Sequence, residues 1–87
     1  MAKYRLVFKK SVAKDLRGIP KRDVTRILTC FDGLAENLRP KGCEKLSDQE
    51  RYRVRQGVYR IIYEINDDKF RVVVVKVAHR RHAYRGS

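Results

Sequence analysis

Apolar and polar residues alternate from Tyr4 to Phe8, with Tyr4, Leu6 and Phe8 on one side and Arg5 and Val7 on the other, which predicts a first strand. Ser11 then offers an N-cap, and Val12, Ala13, Leu16 and Ile19 recur at helical spacing until Gly18-Ile19-Pro20 stops the pattern. Pro20 stands where the first turn of a second helix begins. Val24, Ile27, Leu28, Phe31, Leu34, Ala35 and Leu38 form the apolar stripe of that helix, which ends before Arg39-Pro40 because the residue ahead of a proline avoids helical geometry. Gly33 lies inside it, at a cost of roughly 1 kcal/mol in helix propensity. Lys14, Arg17, Lys21, Arg22 and Arg26 fall off both stripes. An amphipathic αα-hairpin of this kind has to lie on an apolar layer.

The rest of the chain supplies one. After a polar connection, Lys41–Glu50, come three segments of strand character: Arg51–Gln56, Val58–Ile65 and Lys69–Ala78. A two-residue loop at Gln56-Gly57 sets Arg55 opposite Val58, Val54 opposite Tyr59, Arg53 opposite Arg60 and Tyr52 opposite Ile61. The Asn66-Asp67-Asp68 tip sets Ile65 opposite Phe70, Glu64 opposite Arg71, Tyr63 opposite Val72 and Ile62 opposite Val73. One face then collects Tyr52, Val54, Tyr59, Ile61, Tyr63, Ile65, Phe70, Val72 and Val74, a core layer for the helices. The other collects Arg53, Arg55, Arg60, Ile62, Glu64, Arg71, Val73, Val75 and Val77. The expected class is α+β in the order β-α-α-β-β-β, an antiparallel meander against the αα-hairpin, with residues 1–87 as a single domain.

Composition narrows the partners. Lys and Arg number 22 against 10 Asp and Glu, a formal charge of +12 on 87 residues, so the surface attracts polyanions and resists self-association. Nucleic acid is the default, an anionic membrane a distant second and an acidic protein a third. With 43% hydrophobic residues the chain is not a disordered tail, and its longest apolar run, Val72–Val75, is far short of the roughly 18 residues of a membrane span. Met1–Lys10 carries Lys3, Arg5, Lys9 and Lys10 without the apolar stretch of a signal peptide, so the expected location is the cytosol. Cys30 and Cys43 read as reduced structural thiols, with no CxxC and no zinc-finger spacing.

Candidate chemistry gathers on the second sheet face. Glu64 opposite Arg71 is an ordinary ion pair, whereas Arg53 opposite Arg60, with Arg55 beside them, sets like charges across a ladder at a cost. Guanidinium forks suit phosphate oxygens, so a cup of arginines is the functional reading, and arginines splayed into water the bland one. The last strand leads into His79-Arg80-Arg81-His82-Ala83-Tyr84-Arg85, which reads either as a disordered basic tail or as side chains folded back towards the arginine face. His79 and His82 lack a carboxylate or cysteine to complete a metal site, and neither metal nor cofactor is expected. His79, His82 and Tyr84 are the evident proton-transfer groups, because arginine stays protonated.

With Tyr52-Arg53-Val54-Arg55, Gly57-Val58-Tyr59-Arg60-Ile61-Ile62-Tyr63 and Val77-Ala78-His79-Arg80 in that order, nearly the whole chain resembles the RelE/ParE toxin superfamily, most narrowly its RelE toxins. The resemblance implies the small microbial-RNase-like fold of that superfamily and a prokaryotic, cytoplasmic toxin of a type II toxin-antitoxin system. It implies a ribosome-dependent endoribonuclease that cleaves mRNA in the A site: the ribose 2′-OH attacks the adjacent phosphate, leaving a 2′,3′-cyclic phosphate and a 5′-OH. By position, Arg53 and Arg55 match two basic residues that stabilise the transition state, Arg60 the holder of the scissile phosphate, and Arg80 the residue near the leaving oxygen. Tyr84 matches a tyrosine that stacks on a base and takes the 2′-OH proton. RelE carries lysines where Arg53 and Arg55 stand, so proton abstraction falls here on Tyr84 or, as a secondary candidate, His82. Lys14, Arg17, Lys21, Arg22 and Arg81 are the expected RNA and ribosome contacts, with a solvated face the competing reading for the helix residues. The implied partners are the ribosome with its mRNA and a cognate antitoxin, acidic and partly disordered when free. A ParE-type inhibitor of DNA gyrase and an inactive nucleic-acid binder are the alternatives.

Overall fold

A computed structural model describes residues 4–46 and 50–81. The chain runs β1 (Arg5–Phe8), α1 (Lys10–Arg17), α2 (Lys21–Glu36), β2 (Glu44–Lys45), β3 (Arg51–Gln56), β4 (Tyr59–Asn66) and β5 (Arg71–His79). The strands make one five-stranded sheet in the order β1-β5-β4-β3-β2, in which β1 joins β5 in parallel and the other neighbours are antiparallel. The α+β class and the meander are as expected, and β2 is an addition: two residues of the polar connection pair with Arg53 and Tyr52.

One side of the sheet carries both helices, with α1 over β5 and α2 across β1, β5 and β3. Between the layers lie Val12, Ile27, Phe31 and Leu34 from the helices and Tyr52, Val54, Ile61, Tyr63, Ile65, Val72, Val74 and Val77 from the strands. Tyr52 and Tyr63 face each other across β3 and β4 and stack at 5.8 Å. The Tyr63 hydroxyl, fully enclosed, donates to the Leu38 carbonyl at 2.8 Å, which ties the chain just after α2 to the sheet.

Several local expectations are corrected. The N-cap of α1 is Lys9, not Ser11. Lys9 N–H donates to the Val74 carbonyl in the sheet and its own carbonyl accepts from Val12 N–H, so strand passes straight into helix. Leu28 is 44% exposed, on the flank of the α2 stripe rather than in the core. The first hairpin turns at Gly57-Val58, one position later than expected, with Gly57 at φ 62°. Every partner across it therefore moves by two: Arg55 faces Arg60, Val54 faces Ile61 and Arg53 faces Ile62. Faces survive such a shift because side chains alternate with period two.

The second hairpin shifts likewise, and Glu64 faces Val73 rather than Arg71. Its ion partner is Arg51 across β3, whose Nε donates to Glu64 at 3.1 Å. Phe70, expected in the core layer, sits in the turn at φ 53° and is 53% exposed, edge-on to Tyr4. Val77, expected on the outer face, is buried in the core. The cause is a bulge on β5: Tyr63 faces Val74, the next residue back, Ile62, faces Lys76, and Val75 is the extra residue between them.

Candidate active site

Beyond the bulge the alternation of β5 is reversed. Continuing from Val72 and Val74, unbroken alternation carries Ala78 and Arg80 to the helix side. With Val75 inserted, Val77 takes the core position and Ala78 stands opposite Arg60 on the outer face. Arg80 follows two residues later, its N–H donating to the Val58 carbonyl at 2.7 Å. One extra residue thus brings the end of β5 onto the same face as Arg53, Arg55 and Arg60.

On that face Arg55 is exposed and directly opposite Arg60, so the like-charge pair is Arg55/Arg60 and not Arg53/Arg60. The Nε and Nη1 atoms of Arg60 are buried. A guanidinium withdrawn from water in this way acts on a phosphate through a lower local dielectric than an exposed one. Arg53 lies opposite Ile62, with its side chain only 14% exposed, and its Nη2 donates to Glu44 of β2 at 2.9 Å. Ile62 is buried as well, although it belongs to the face away from the helices. The β2 contact was invisible in the polar run around Glu44, where two residues are too few to show a period.

His79 stands apart from the arginines. It is paired with Tyr59, its ring edge-on at 5.8 Å, and its Nδ1 accepts the Arg81 N–H at 3.2 Å. Tyr59 packs against the core cluster, so this histidine follows the helix side. His82 and Tyr84 lie outside the described residues. Lys14, Arg17, Lys21 and Arg22 are all exposed on the helix layer, and Arg81 is exposed in the turn after β5. The helix cations form a second basic surface across the sheet from Arg53, Arg55 and Arg60. Among the described residues no three His, Cys, Asp or Glu side chains gather as metal ligands, and no helix is long and apolar enough to cross a membrane.

The opposite end of the sheet has the reverse character. Glu50, Glu64, Asp67 and Asp68 border a recess of about 420 Å³. Arg39 lies within 3.7 Å of Glu50 and 3.9 Å of Asp67, Arg51 holds Glu64, and the Tyr4 hydroxyl donates to Asp67 at 2.6 Å. That last bond raises the pKa of Tyr4 above its ordinary value.

Fold and site define a small basic α+β domain that gathers arginines on one open sheet face. Residues 6–84 match the family model of the ParE toxin of type II toxin-antitoxin systems, parDE. Toxin RelG of Mycobacterium tuberculosis is 30% identical over 84 residues, covering 94% of this chain and 97% of that one. Toxin RelE of the same organism is 29% identical over 84 residues, 94% of this chain and 87% of the other. Among solved structures, the archaeal RelE-RelB complex from Pyrococcus horikoshii contains a chain with a TM-score of 0.80 and 31% identity, covering 94% of this chain and 100% of that one. The chain belongs to the ParE toxin family, within the RelE/ParE superfamily, and is a RelE-like toxin of a type II toxin-antitoxin system.

Proposed function

We propose that this toxin is an endoribonuclease that cuts mRNA in the ribosomal A site. The observation that supports the reading is the bulge in β5, which turns Ala78 to the face where Arg55 stands opposite Arg60, with Arg80 two residues further on and its N–H bonded to Val58. In the reaction the 2′-OH loses its proton, its oxygen bonds to the adjacent phosphorus as the P–O5′ bond breaks, and the departing 5′-oxygen takes a proton from water. Arg60 and Arg80 meet the charge that grows on the phosphoryl and leaving oxygens, with Arg53 and Arg55 beside them. Tyr84 takes the 2′-OH proton, with His82 as the second candidate base. The basic helix surface, Lys14, Arg17, Lys21 and Arg22, with Arg81 after β5, contacts ribosomal RNA.

The partner that silences it is an acidic antitoxin, partly disordered when free and drawn to the +12 charge. Solved relatives that are RelE-RelB complexes support that pairing. Toxin and antitoxin act in the cytoplasm.

The test is an mRNA of defined sequence on programmed bacterial ribosomes, with cuts mapped by primer extension. Cuts at the A-site codon that need the ribosome and end in a 2′,3′-cyclic phosphate are the expected result. The match to the ParE model favours a second reading, inhibition of DNA gyrase without cleavage. Intact mRNA together with loss of gyrase supercoiling would put that reading first.

A further inference from the structure

Asp15 is the sole acid of α1, whose other charged residues are Lys10, Lys14 and Arg17. It is half-buried, and its Oδ2 accepts the backbone N–H of Val77 at 3.2 Å, 62 positions along the chain. The position of that N–H explains the contact. β1 pairs with β5 only as far as Phe8 and Val74, and its last ladder bond runs from Lys9 N–H to the Val74 carbonyl. On the other edge of β5, Arg80 N–H bonds to Val58, so the even-numbered residues after the bulge turn their backbone groups towards β4. Val77 N–H therefore points to the edge that β1 has already left. It is the first donor on that edge after the bulge, and a side chain from α1 supplies the acceptor in place of a strand.

The contact falls between the bulge and Arg80. It holds the segment whose register decides which face receives Ala78 and Arg80. We infer that Asp15 is a positioning residue of this toxin: its carboxylate pins the reversed register of β5 and so keeps Arg80 on the face of Arg55 and Arg60. The catalytic consequence rests on the endoribonuclease reading, whereas the pinning itself does not. An acid kept on an otherwise basic helix, turned inward to a single backbone donor, suits this role better than solubility or RNA contact.

The test compares Asp15→Ala and Asp15→Asn in the full chain by two readouts. Backbone amide exchange followed by NMR reports the clamp. In Asp15→Ala the amides of Val77 and Arg80 exchange at least about tenfold faster while those of Ile27 and Phe31 in α2 keep their protection. Asp15→Asn, which keeps a carbonyl acceptor, stays close to wild type. Single-turnover cleavage on programmed ribosomes reports the consequence. Asp15→Ala lowers the maximal rate by about 10-fold to 100-fold, as a misplacement of about 1 Å does, with half-saturating concentration nearly unchanged, and Asp15→Asn restores most of it.

Unchanged exchange at Val77 and Arg80 in Asp15→Ala overturns the inference, as does equal damage from Asn and Ala. Faster exchange throughout α2 also overturns it, by making Asp15 a general structural residue. Alanine improves helix propensity at this position, and if that variant fails to fold, Asp15→Glu moves the acceptor by one methylene and is read in the same way. If the wild type leaves mRNA intact, the endoribonuclease reading fails separately, and the clamp is judged by exchange alone.

Discussion

The two ends of this sheet use the same residue types to opposite effect. Where β4 turns into β5, cations meet carboxylates: Arg51 holds Glu64, and Arg39 lies near Glu50 and Asp67. Where β3 turns into β4 and β5 finishes, Arg55 meets Arg60 across the ladder and Arg80 follows. Neither residues 51–63 nor residues 71–87 contain a single Asp or Glu. Half-exposed ion pairs contribute little, about 0–1 kcal/mol, so the closed end is electrically quiet rather than a major source of stability. Like charges facing each other cost stability, and an anion bound beside them offsets that cost. Stability lies in the core between these ends, and the proposed reaction belongs to the end where arginine faces arginine.

The sharpest break of this comparison is at the arginine end. Arg60→Ala and Arg80→Ala each lower ribosomal cleavage by roughly 10²-fold or more, the cost of a lost contact to a developing oxyanion, without unfolding the domain. Rates and circular dichroism measured together check both halves, and wild-type rates would remove these arginines from the site. Next is the core that separates the ends. Tyr63→Phe leaves the Leu38 carbonyl without its donor and costs about 1–3 kcal/mol in denaturant unfolding. Burial pushes the Tyr63 hydroxyl well above its ordinary pKa. Its contribution to stability is therefore present below the unfolded tyrosine value and lost as pH rises through the folded one. In an ultraviolet titration it ionises at a higher pH in the folded protein than in the denatured chain.

Smaller effects sharpen the picture. Gly33 is exposed in α2 with open space where a Cβ would stand, so Gly33→Ala raises stability by about 0.5–1 kcal/mol. An unchanged unfolding midpoint would contradict this. Smallest of all is Glu64→Gln at the quiet end, under about 1 kcal/mol in stability, with cleavage within about twofold of wild type. A large loss of cleavage there would show that the two ends are coupled.

The strong periodicities of α2 and of the three long strands were legible in the residues, as was the face shared by Tyr52, Val54, Ile61 and Tyr63. What failed was register, and for physical reasons. Gln56-Gly57 and Gly57-Val58 are both acceptable two-residue turns, and the shift between them leaves the faces intact while changing each partner. Alternation therefore identified the arginine face but mistook which arginines meet. The bulge was hidden because Val72, Val73, Val74 and Val75 are identical residues, and an extra valine in such a run breaks no visible pattern. Yet it decides that Val77 is core and that Ala78, opposite Arg60, is on the other face. Ser11 lost the N-cap to Lys9 because a ladder bond to Val74 fixed the helix start, which no local sequence signal records.

The most direct test compares the ends on one substrate: wild type, Arg60→Ala and Glu64→Gln, each with programmed ribosomes and a defined mRNA, with cuts mapped by primer extension. The account predicts A-site cuts of equal strength for wild type and Glu64→Gln, and nearly none for Arg60→Ala. Equal cutting by all three proteins, or none by the wild type, would contradict it.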